Sequence, residues 1–346
     1  MIFISYSRED RDCAERIAAR LRAAGKTILR DPTALQGDPF WRRSVRELIG
    51  SSDTMLVLWS RYAAQSPWVD QEVRAFREKA EAICLDDTPL PDGWLGRYET
   101  ASPEHGSEEK EAGENIAKQR AEFIRSEEVV LARFRKEVRG RARPVVAGAD
   151  GACRTADGSR LIRIGEDVYL AATPVTNEQY RVFTEAAGYQ GPPTWDEAAF
   201  RERDAPVVGV TWFEAMAYAA WIGADLPSRE EWRFAASAGK ARREYATADG
   251  RLSPEAANYG AAFGGGAPCA NSAYDPNPLG FYGMSGNSWD WCSTAEGAHR
   301  AICGGGYMDS PDFCRVTATY RNAPIDRDCC VGFRVRVTVD SSGGTK

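Results

Sequence analysis

Glu72 and Trp68 are separated by one helical turn, so the spacing predicts that both side chains lie on one face of a helix. A buried carboxylate can stabilise positive charge that develops in a reacting molecule. Glu72 can also be a solvated helix residue paired with Arg74 or Lys79, and the spacing alone favours that interpretation. The sequence contains no GxGxxG or GxxxxGK loop, which disfavours a dinucleotide redox enzyme or an NTPase.

The elements that must position Glu72 are short apolar runs alternating with amphipathic stretches over residues 1–99. The runs IFISYS, KTILRD, TMLVLWS and AEAICLDD are typical of strands buried on both faces of a parallel sheet. Between the first two lies REDRDCAERIAARLRAAG, whose apolar spacing predicts a helix that stops at Gly25. This alternation predicts a doubly wound α/β domain.

The same region resembles a bacterial TIR domain, because five sequence words occur in the family's order. They are FISYSRED, DPTALQGDPFW, SSDTMLVLWS, SPWVDQEV and LDDTPLPDGWL. The resemblance implies a flavodoxin-like parallel sheet. It also implies a catalytic Glu72 in a setting formed by Ser66 and Trp68, as in the TIR enzymes that cleave NAD. The residues implied for the NAD cleft are Phe3, Ser7, Arg8, Asp31, Trp41 and Trp68.

Cleavage of NAD at its nicotinamide–ribose bond builds positive charge on the ribose carbon, as in glycoside hydrolysis. A carboxylate beside that carbon stabilises the transition state, and nicotinamide leaves as a neutral ring without a strong general acid. Other TIR domains are scaffolds that only self-associate, and that alternative remains open. TIR–TIR self-association is expected in either class.

Residues 100–143 are highly charged, with Ile116, Phe123, Val130 and Phe134 spaced for one helical stripe. We interpret the segment as a terminal helix of the first domain, with a free linker as the alternative. The predicted organisation is a TIR domain over 1–143, a linker over 144–157 and a second domain over 158–338.

The second domain is rich in aromatic residues, glycines and short turns. The stretches TNEQYRVFTEAAG and TWFEAMAYAAWIG predict helices, each opened by a Thr that can cap the first turn. The words TPVTNEQYRVF, DAPVVGVTWFEAMAYAAWIGADLPSREEWRFAA, DPNPLGFYGMSGNSWDW and CGGGY through GFRV resemble the formylglycine-generating-enzyme group. The resemblance implies an α+β, irregular variant of the C-type lectin fold, which serves oxidases, sulfoxide synthases and binding proteins.

The oxidase alternative requires two cysteines that bind copper, and this chain has Asp309 and Cys314 at the corresponding positions. One thiolate cannot form a linear two-thiolate copper site, so copper is not expected. Two histidines, His105 and His299, cannot supply a three-histidine iron site. The resemblance also allows a calcium ion at Gly286, Ser288 and Asp290, within the loop that contains Asn287. The usual upstream ligand is replaced by Gly283, which offers no side-chain oxygen.

Residues 300–336 contain no Glu, Lys, Gln or Trp and a single Met. This bias is expected where template AAC codons are mutated at their adenines, and it resembles the variable proteins of diversity-generating retroelements. The resemblance implies a solvent-accessible, variable surface that binds a protein or another macromolecule. The residues implied for it are Tyr307, Asp309, Ser310, Asp312, Phe313, Thr319, Tyr320, Asn322, Ile325, Asp328, Cys329 and Cys330.

Three alternatives stay open for the C-terminal half. The segment can belong to an ordinary, non-diversified lectin-fold domain, or the domain can be an oxidase acting on cysteine. The consecutive Cys329 and Cys330 can be small buried hydrophobes or a strained vicinal disulfide.

Composition limits the function classes. The net charge of −6 argues against a dedicated nucleic-acid binder, and no apolar run approaches the length of a membrane span. The start of the chain lacks the features of a secretory signal, and nine cysteines without one suggest reduced thiols in a cytoplasm. The sequence therefore predicts a cytoplasmic receptor: a diversified ligand-binding domain coupled to a TIR effector, with no cofactor required for binding.

Overall fold

The structure, a computed structural model, describes a defined part of the chain. The described residues are 1–30, 39–91, 94, 96–100, 125, 128–129, 131–132, 146–147, 153–240, 242–261 and 265–339. The chain forms two compact units, an N-terminal unit mainly within residues 1–123 and a C-terminal unit mainly within residues 124–346. Most of the predicted charged helix over 100–143 lies outside the described residues. No helix among them is long and apolar enough to cross a lipid bilayer.

The N-terminal unit contains one parallel sheet. Its strands are β1 (Ile2–Ser5), β2 (Ile28–Arg30), β3 (Thr54–Trp59), β4 (Ala80–Cys84) and β5 (Tyr98–Thr100), in the order β2-β1-β3-β4-β5. Each neighbouring pair is parallel. This order is that of flavodoxin-like sheets, which confirms the α/β fold predicted from the strand–helix alternation.

Helices cover both faces of this sheet. They are α1 (Arg11–Ala23), α2 (Trp41–Ser51) and α3 (Pro67–Phe76). Ala14 and Ala18 of α1 pack against Ile4, whereas Phe3 belongs to the core cluster of α2 and α3. Successive strand residues point to opposite faces, so β1 supplies side chains to both cores. Helix α1 is followed by Gly25 at a φ of 78°, the left-handed conformation that favours glycine.

The described residues of the C-terminal unit form three small sheets. The strands are β6 (Val146–Ala147), β7 (Cys153–Arg154), β8 (Leu161–Arg163), β9 (Val168–Ala171), β10 (Trp289–Glu296), β11 (His299–Cys303), β12 (Thr319–Asn322), β13 (Val331–Gly332) and β14 (Arg336–Thr338). The sheets have the orders β12-β11-β10-β13, β14-β9-β8 and β6-β7. The predicted strand GFRVRVTV is divided, because Gly332 ends β13 beside β10 and the chain then joins another sheet as β14 beside β9.

Three helices of the C-terminal unit begin with a capping box. They are α4 (Asn177–Ala187), α5 (Trp212–Trp221) and α6 (Arg229–Ala236). Thr176 and Thr211 accept hydrogen bonds from the backbone of the first turn, which confirms the two predicted caps. The third cap, formed by Ser228 and Glu231, was not predicted, although its Ser-x-x-Glu spacing is the ordinary sequence signal.

Aromatic side chains fill the core beneath α4 and α5. Tyr180 stacks on Tyr218 with ring centroids 5.7 Å apart, and Phe333 meets both rings edge-on. The preceding Gly332 is required by a close approach, since a Cβ there would lie 2.3 Å from the carbonyl oxygen of Val207. The GFR word of the second domain is therefore structural.

Candidate functional site

The carboxyl edge of the N-terminal sheet is the first candidate site. In an open α/β sheet, ligands bind where the strand order reverses, and here that point lies between β1 and β3. Ser5 ends β1 and Ser60 follows β3, so two hydroxyl groups flank the switch point. The Ser60 hydroxyl donates to the Asp10 carboxylate at 2.6 Å, and burial raises the pKa of Asp10.

Glu72 is brought to this edge by α3. The helix begins at Pro67, and the Ser66 side chain accepts a hydrogen bond from the Val69 N–H. Val69 and Val73 pack into the same core cluster as Phe3. Ser5 lies two residues after Phe3 and shares its face of the strand, where its hydroxyl donates to the Glu72 carboxylate. The side chain of Glu72 is only 6% exposed, so the solvated-helix interpretation is wrong.

Two tryptophans connect α3, the helix that carries Glu72, with α2. Trp68 on α3 is buried, and its ring meets the ring of Trp41 edge-on at 5.8 Å. Trp41 opens α2 and is half-buried. The pair therefore packs α2 against α3, which fixes the helix that carries Glu72.

The other residues implied for the NAD cleft have different positions. Phe3 is buried in the hydrophobic core, so its expected place on a cleft-lining loop is wrong: β1 lies between β2 and β3, and a helix layer covers that face. Ser7 is buried and donates to the Glu9 carboxylate at 2.5 Å. The side chain of Arg8 and the whole of Asp31 lie outside the described residues.

Sequence reasoning missed Ser5 and Asp10. Ser5 could have been found from strand alternation, because it shares the face of Phe3 at the carboxyl end of β1. Asp10 could not, because its partner Ser60 is brought close only by the pairing of β1 with β3.

Asp309 is the centre of the second candidate site, in the C-terminal unit. A single carboxylate oxygen, Oδ2, accepts two hydrogen bonds. The Trp289 indole N–H and the Gly306 backbone N–H donate them, both at 2.6 Å. The side chain has no exposed surface. Its expected accessibility is therefore wrong, and Asp309 is part of the scaffold.

Cys314 occupies the other position that copper would need. A Cβ on Gly305, which has a φ of 72°, would lie 2.7 Å from its Sγ, so the thiol is tightly enclosed. Burial raises the pKa of Cys314 well above its usual value, and the charge of Asp309 adds to this effect. One thiol and a carboxylate that already accepts two hydrogen bonds do not supply the two thiolates of such a copper site.

Asp290 is the acidic residue of the loop that the resemblance assigns to calcium. Its Oδ2 accepts hydrogen bonds from Arg334 at 2.6 Å and from the Trp232 indole at 2.8 Å. The buried guanidinium of Arg334 also donates to the carbonyls of Tyr282 and Gly283. The Ser288 hydroxyl and Asp290 Oδ1 are buried without a hydrogen-bond partner among the described residues. Arg334 thus neutralises one oxygen of Asp290, while the other oxygen and the Ser288 hydroxyl stay available, so calcium at Gly286, Ser288 and Asp290 stays a prediction.

The residues implied for the variable surface fall into exposed, half-buried and buried groups. Asp312 is exposed, and the half-buried residues are Phe313, Thr319, Tyr320 and Ile325. The buried residues are Tyr307, Asp309, Ser310, Asn322, Asp328, Cys329 and Cys330. For these buried residues the expected accessibility is wrong, since each lies within the packed interior of the unit.

A cavity of about 260 Å³ lies elsewhere on the C-terminal unit, at the ends of α4 and α5. It is lined by Ala156, Asp157, Glu178, Gln179, Val182, Trp221 and Ile222. Glu178 pairs with Arg181 and Arg203, and Asp157 accepts from the Tyr218 hydroxyl at 2.5 Å. Both carboxylates already bind neighbouring side chains, so we assign no reaction to this cavity.

Both units match known families. Residues 136–339 match the family described as the sulfatase-modifying factor enzyme 1-like domain, and residues 2–92 match the TIR domain. The chain is 31% identical over 204 residues to the serine/threonine-protein kinase pkn1 of Chlamydia pneumoniae, covering 48% of this chain and 32% of that protein. It is 32% identical over 173 residues to the formylglycine-generating enzyme of Streptomyces coelicolor, covering 40% of this chain and 55% of that protein. The chain thus spans about a third to a half of the length of these curated relatives.

Two of the solved structures that are similar to the chain cover more than half of it. The variable protein 1 of Treponema denticola has 16% identity and a TM-score of 0.42, over 56% of this chain and 98% of that one. PvdO from Pseudomonas aeruginosa has 18% identity and a TM-score of 0.45, over 57% of this chain and 99% of that one.

Proposed function

Because the chain belongs to the family of the sulfatase-modifying factor enzyme 1-like domain and carries a TIR domain at its N-terminus, we propose that it is a ligand-binding protein coupled to a TIR effector. In this proposal the C-terminal unit binds a protein or another macromolecule. Ligand binding brings TIR domains together, and the assembled TIR domains cleave NAD. A cytoplasmic location is part of the proposal, because NAD is the substrate of the effector.

The proposed binding role rests on the hydrogen bonds of Asp309. A carboxylate that bonds Trp289 and Gly306 stands where oxidase chemistry would need a second thiolate. The lectin-type scaffold serves several functions, so we propose binding in place of that chemistry. The test is incubation of the reduced chain with copper(I), oxygen and a cysteine-containing peptide. We expect no peptide oxidation, and stoichiometric copper binding with oxygen-dependent peptide conversion would contradict the proposal.

The recognition surface in this proposal is smaller than the sequence implied. It consists of Asp312, Phe313, Thr319, Tyr320 and Ile325, the positions of the variable set that keep exposed surface. Two aromatic rings among polar neighbours suit a binding hot spot. The Tyr320 ring lies 6.5 Å from the buried Trp289 ring, so the scaffold holds it in place.

We further propose that a retroelement diversifies this surface. The support for this proposal is the absence of Glu, Lys, Gln and Trp from residues 300–336. Sequencing the neighbouring DNA tests it. We expect a reverse-transcriptase gene and a near-copy of this segment that differs at adenines, and a locus without them would leave an ordinary lectin-fold domain.

The NAD-cleaving role depends on Glu72 and Ser5. As the nicotinamide–ribose bond breaks, positive charge grows on the ribose carbon, and in this proposal the Glu72 carboxylate stabilises it. The Ser5 hydroxyl donates to that carboxylate and so orients it toward the carboxyl edge of the sheet. Burial of Glu72 strengthens the electrostatic interaction relative to that in water.

Forced assembly tests the effector role. The full chain is fused to a tetramerising segment, and nicotinamide release from NAD is followed. Glu72→Gln removes the charge but keeps an oxygen that accepts from Ser5, and we expect it to reduce release by roughly 100-fold or more. Glu78→Gln is the matched control, because Glu78 is an exposed residue shortly after α3 and should leave release unchanged. A clustered parent protein that releases no more nicotinamide than Glu72→Gln would replace the enzyme proposal with the scaffold alternative.

A further inference from the structure

Three potential metal ligands converge in the turn that precedes β13. One ligand atom from each of Asp328, Cys329 and Cys330 lies within 4.8 Å of the other two. All three side chains are buried. The cluster belongs to the C-terminal unit and takes no part in the recognition surface or the effector chemistry described above.

The backbone explains why two consecutive thiols point the same way. Neighbouring residues of an extended strand point to opposite faces, so adjacent cysteines in a strand would diverge. Here the chain turns instead, because the Val331 N–H donates to the Asp328 carbonyl at 3.0 Å. The Cys330 N–H also donates to Asp328 Oδ1 at 2.9 Å. This turn holds the carboxylate and both thiols around one point before any ion is bound.

Tyr307 contacts one thiol of the cluster. Its hydroxyl donates to the Sγ of Cys329 across 3.4 Å, and the ring is buried. The Phe200 ring lies 6.4 Å from the Tyr307 ring and limits its movement. The orientation of the Cys329 thiol is therefore set by packing as well as by the turn.

We propose that Asp328, Cys329 and Cys330 bind one zinc ion. Zinc prefers thiolate sulfur at about 2.3 Å and carboxylate oxygen at about 2.0–2.2 Å, in tetrahedral geometry. Ligand atoms of such a tetrahedron are about 3.3–3.8 Å apart, so atoms within 4.8 Å need only a small adjustment. Both thiols lose their protons on binding, two protons leave for each zinc, and a water molecule completes the tetrahedron.

Metal titration of the full chain tests this site without any assay of activity. The protein is reduced, freed of metal and titrated with zinc against a chromogenic chelator, in weak buffer with a pH indicator. We expect one zinc per chain and two protons released per zinc at a pH where free thiols are protonated. Cobalt(II) in place of zinc should show thiolate-to-metal charge transfer and the intense visible bands of a tetrahedral ion.

Variants separate this site from other thiols. Cys329→Ser with Cys330→Ser should abolish the charge-transfer band. Asp328→Asn keeps both thiols, so it should keep the band but weaken zinc binding by about 10-fold. The matched control is Cys292→Ala with Cys303→Ala, the buried pair whose Sγ atoms are 3.9 Å apart, and it should leave zinc binding unchanged.

Several results would overturn the site. They are the absence of zinc binding in the reduced parent protein, equal binding in the Cys329→Ser, Cys330→Ser variant, and binding that is lost only in the Cys292→Ala, Cys303→Ala control. A Cys329–Cys330 disulfide that persists under a thiol reductant would also overturn it. If the double serine variant does not fold, the proton count of the parent protein and the affinity of Asp328→Asn decide the question.

Discussion

Two buried carboxylates, Glu72 in the N-terminal unit and Asp290 in the C-terminal unit, are held by different partners. Asp290 is ion-paired with the buried guanidinium of Arg334 and bonded by an indole, and these contacts join β10 to the loops around it. Glu72 accepts a hydrogen bond from the Ser5 hydroxyl at the carboxyl edge of a parallel sheet. The comparison teaches that burial alone does not define a carboxylate's role: Asp290 is paired with a buried cation, whereas Glu72 accepts from a hydroxyl at the sheet edge where open α/β sheets bind ligands.

Asp309 and Cys314 of the C-terminal unit also have structural roles. Positions that hold a metal in oxidases of this family are occupied here by a carboxylate bonded to the scaffold and by an enclosed thiol. The N-terminal unit, in contrast, keeps hydroxyl and carboxylate groups at the switch point of its sheet. This contrast supports the proposal that chemistry belongs to the N-terminal unit and recognition to the C-terminal unit.

The largest effect should come from breaking the Asp290–Arg334 pair. Asp290→Asn leaves the charge of Arg334 buried without its counter-ion, and we expect a loss of about 3–5 kcal/mol in the free energy of unfolding. Glu72→Gln should cost less than about 1 kcal/mol, because Gln still accepts a bond from Ser5. Urea unfolding of both variants measures the contrast, and an equal loss in the two would remove the distinction between them.

A smaller effect on stability should distinguish Asp309 from Asp312. Asp309→Ala leaves the buried Trp289 and Gly306 donors without an acceptor and should cost about 2–3 kcal/mol. Asp312→Ala, at an exposed position of the same segment, should change stability by less than about 0.5 kcal/mol. Thermal or urea unfolding measures both. Equal stability of the two variants would return Asp309 to the recognition surface.

The smallest of these effects is a difference in thiol reactivity. The thiolate is the reactive form of cysteine, and burial raises the pKa of Cys314. We expect Cys314 to be alkylated at least about 10-fold more slowly than the half-buried Cys13 at neutral pH. Mass spectrometry of peptides after timed alkylation measures the two rates. Alkylation of Cys314 as fast as Cys13 would indicate an accessible reactive thiol and reopen the oxidase alternative.

The fold was predictable because it is encoded locally. The strand-like runs of the first hundred residues became β1 to β4, and Thr176 and Thr211 cap helices where their sequence positions indicate. Periodicity and capping act over one or two turns, so a single sequence reveals them. The order β2-β1-β3-β4-β5 then follows from the resemblance to a TIR domain.

The candidate sites were only partly predictable because they depend on contacts between distant residues. Glu72 was identified, but its burial and its bond to Ser5 require α3 to pack against β1. Exposure within residues 300–336 was predicted poorly, because codon bias reports which positions differ and not which side chains face solvent. Cys329 and Cys330 are buried in the turn at Asp328, where the Cys330 N–H donates to the Asp328 carboxylate. No sequence pattern predicts this turn.

The most direct test of the central claim is nicotinamide release by three tetramerised proteins measured side by side. They are the parent chain, a variant with Asp312, Phe313, Thr319, Tyr320 and Ile325 all replaced by Ala, and Glu72→Gln. We predict equal release by the first two, because the recognition surface is separate from the effector, and release lower by roughly 100-fold or more in Glu72→Gln. Release by the parent no greater than by Glu72→Gln, or loss of release in the surface variant, would contradict the account.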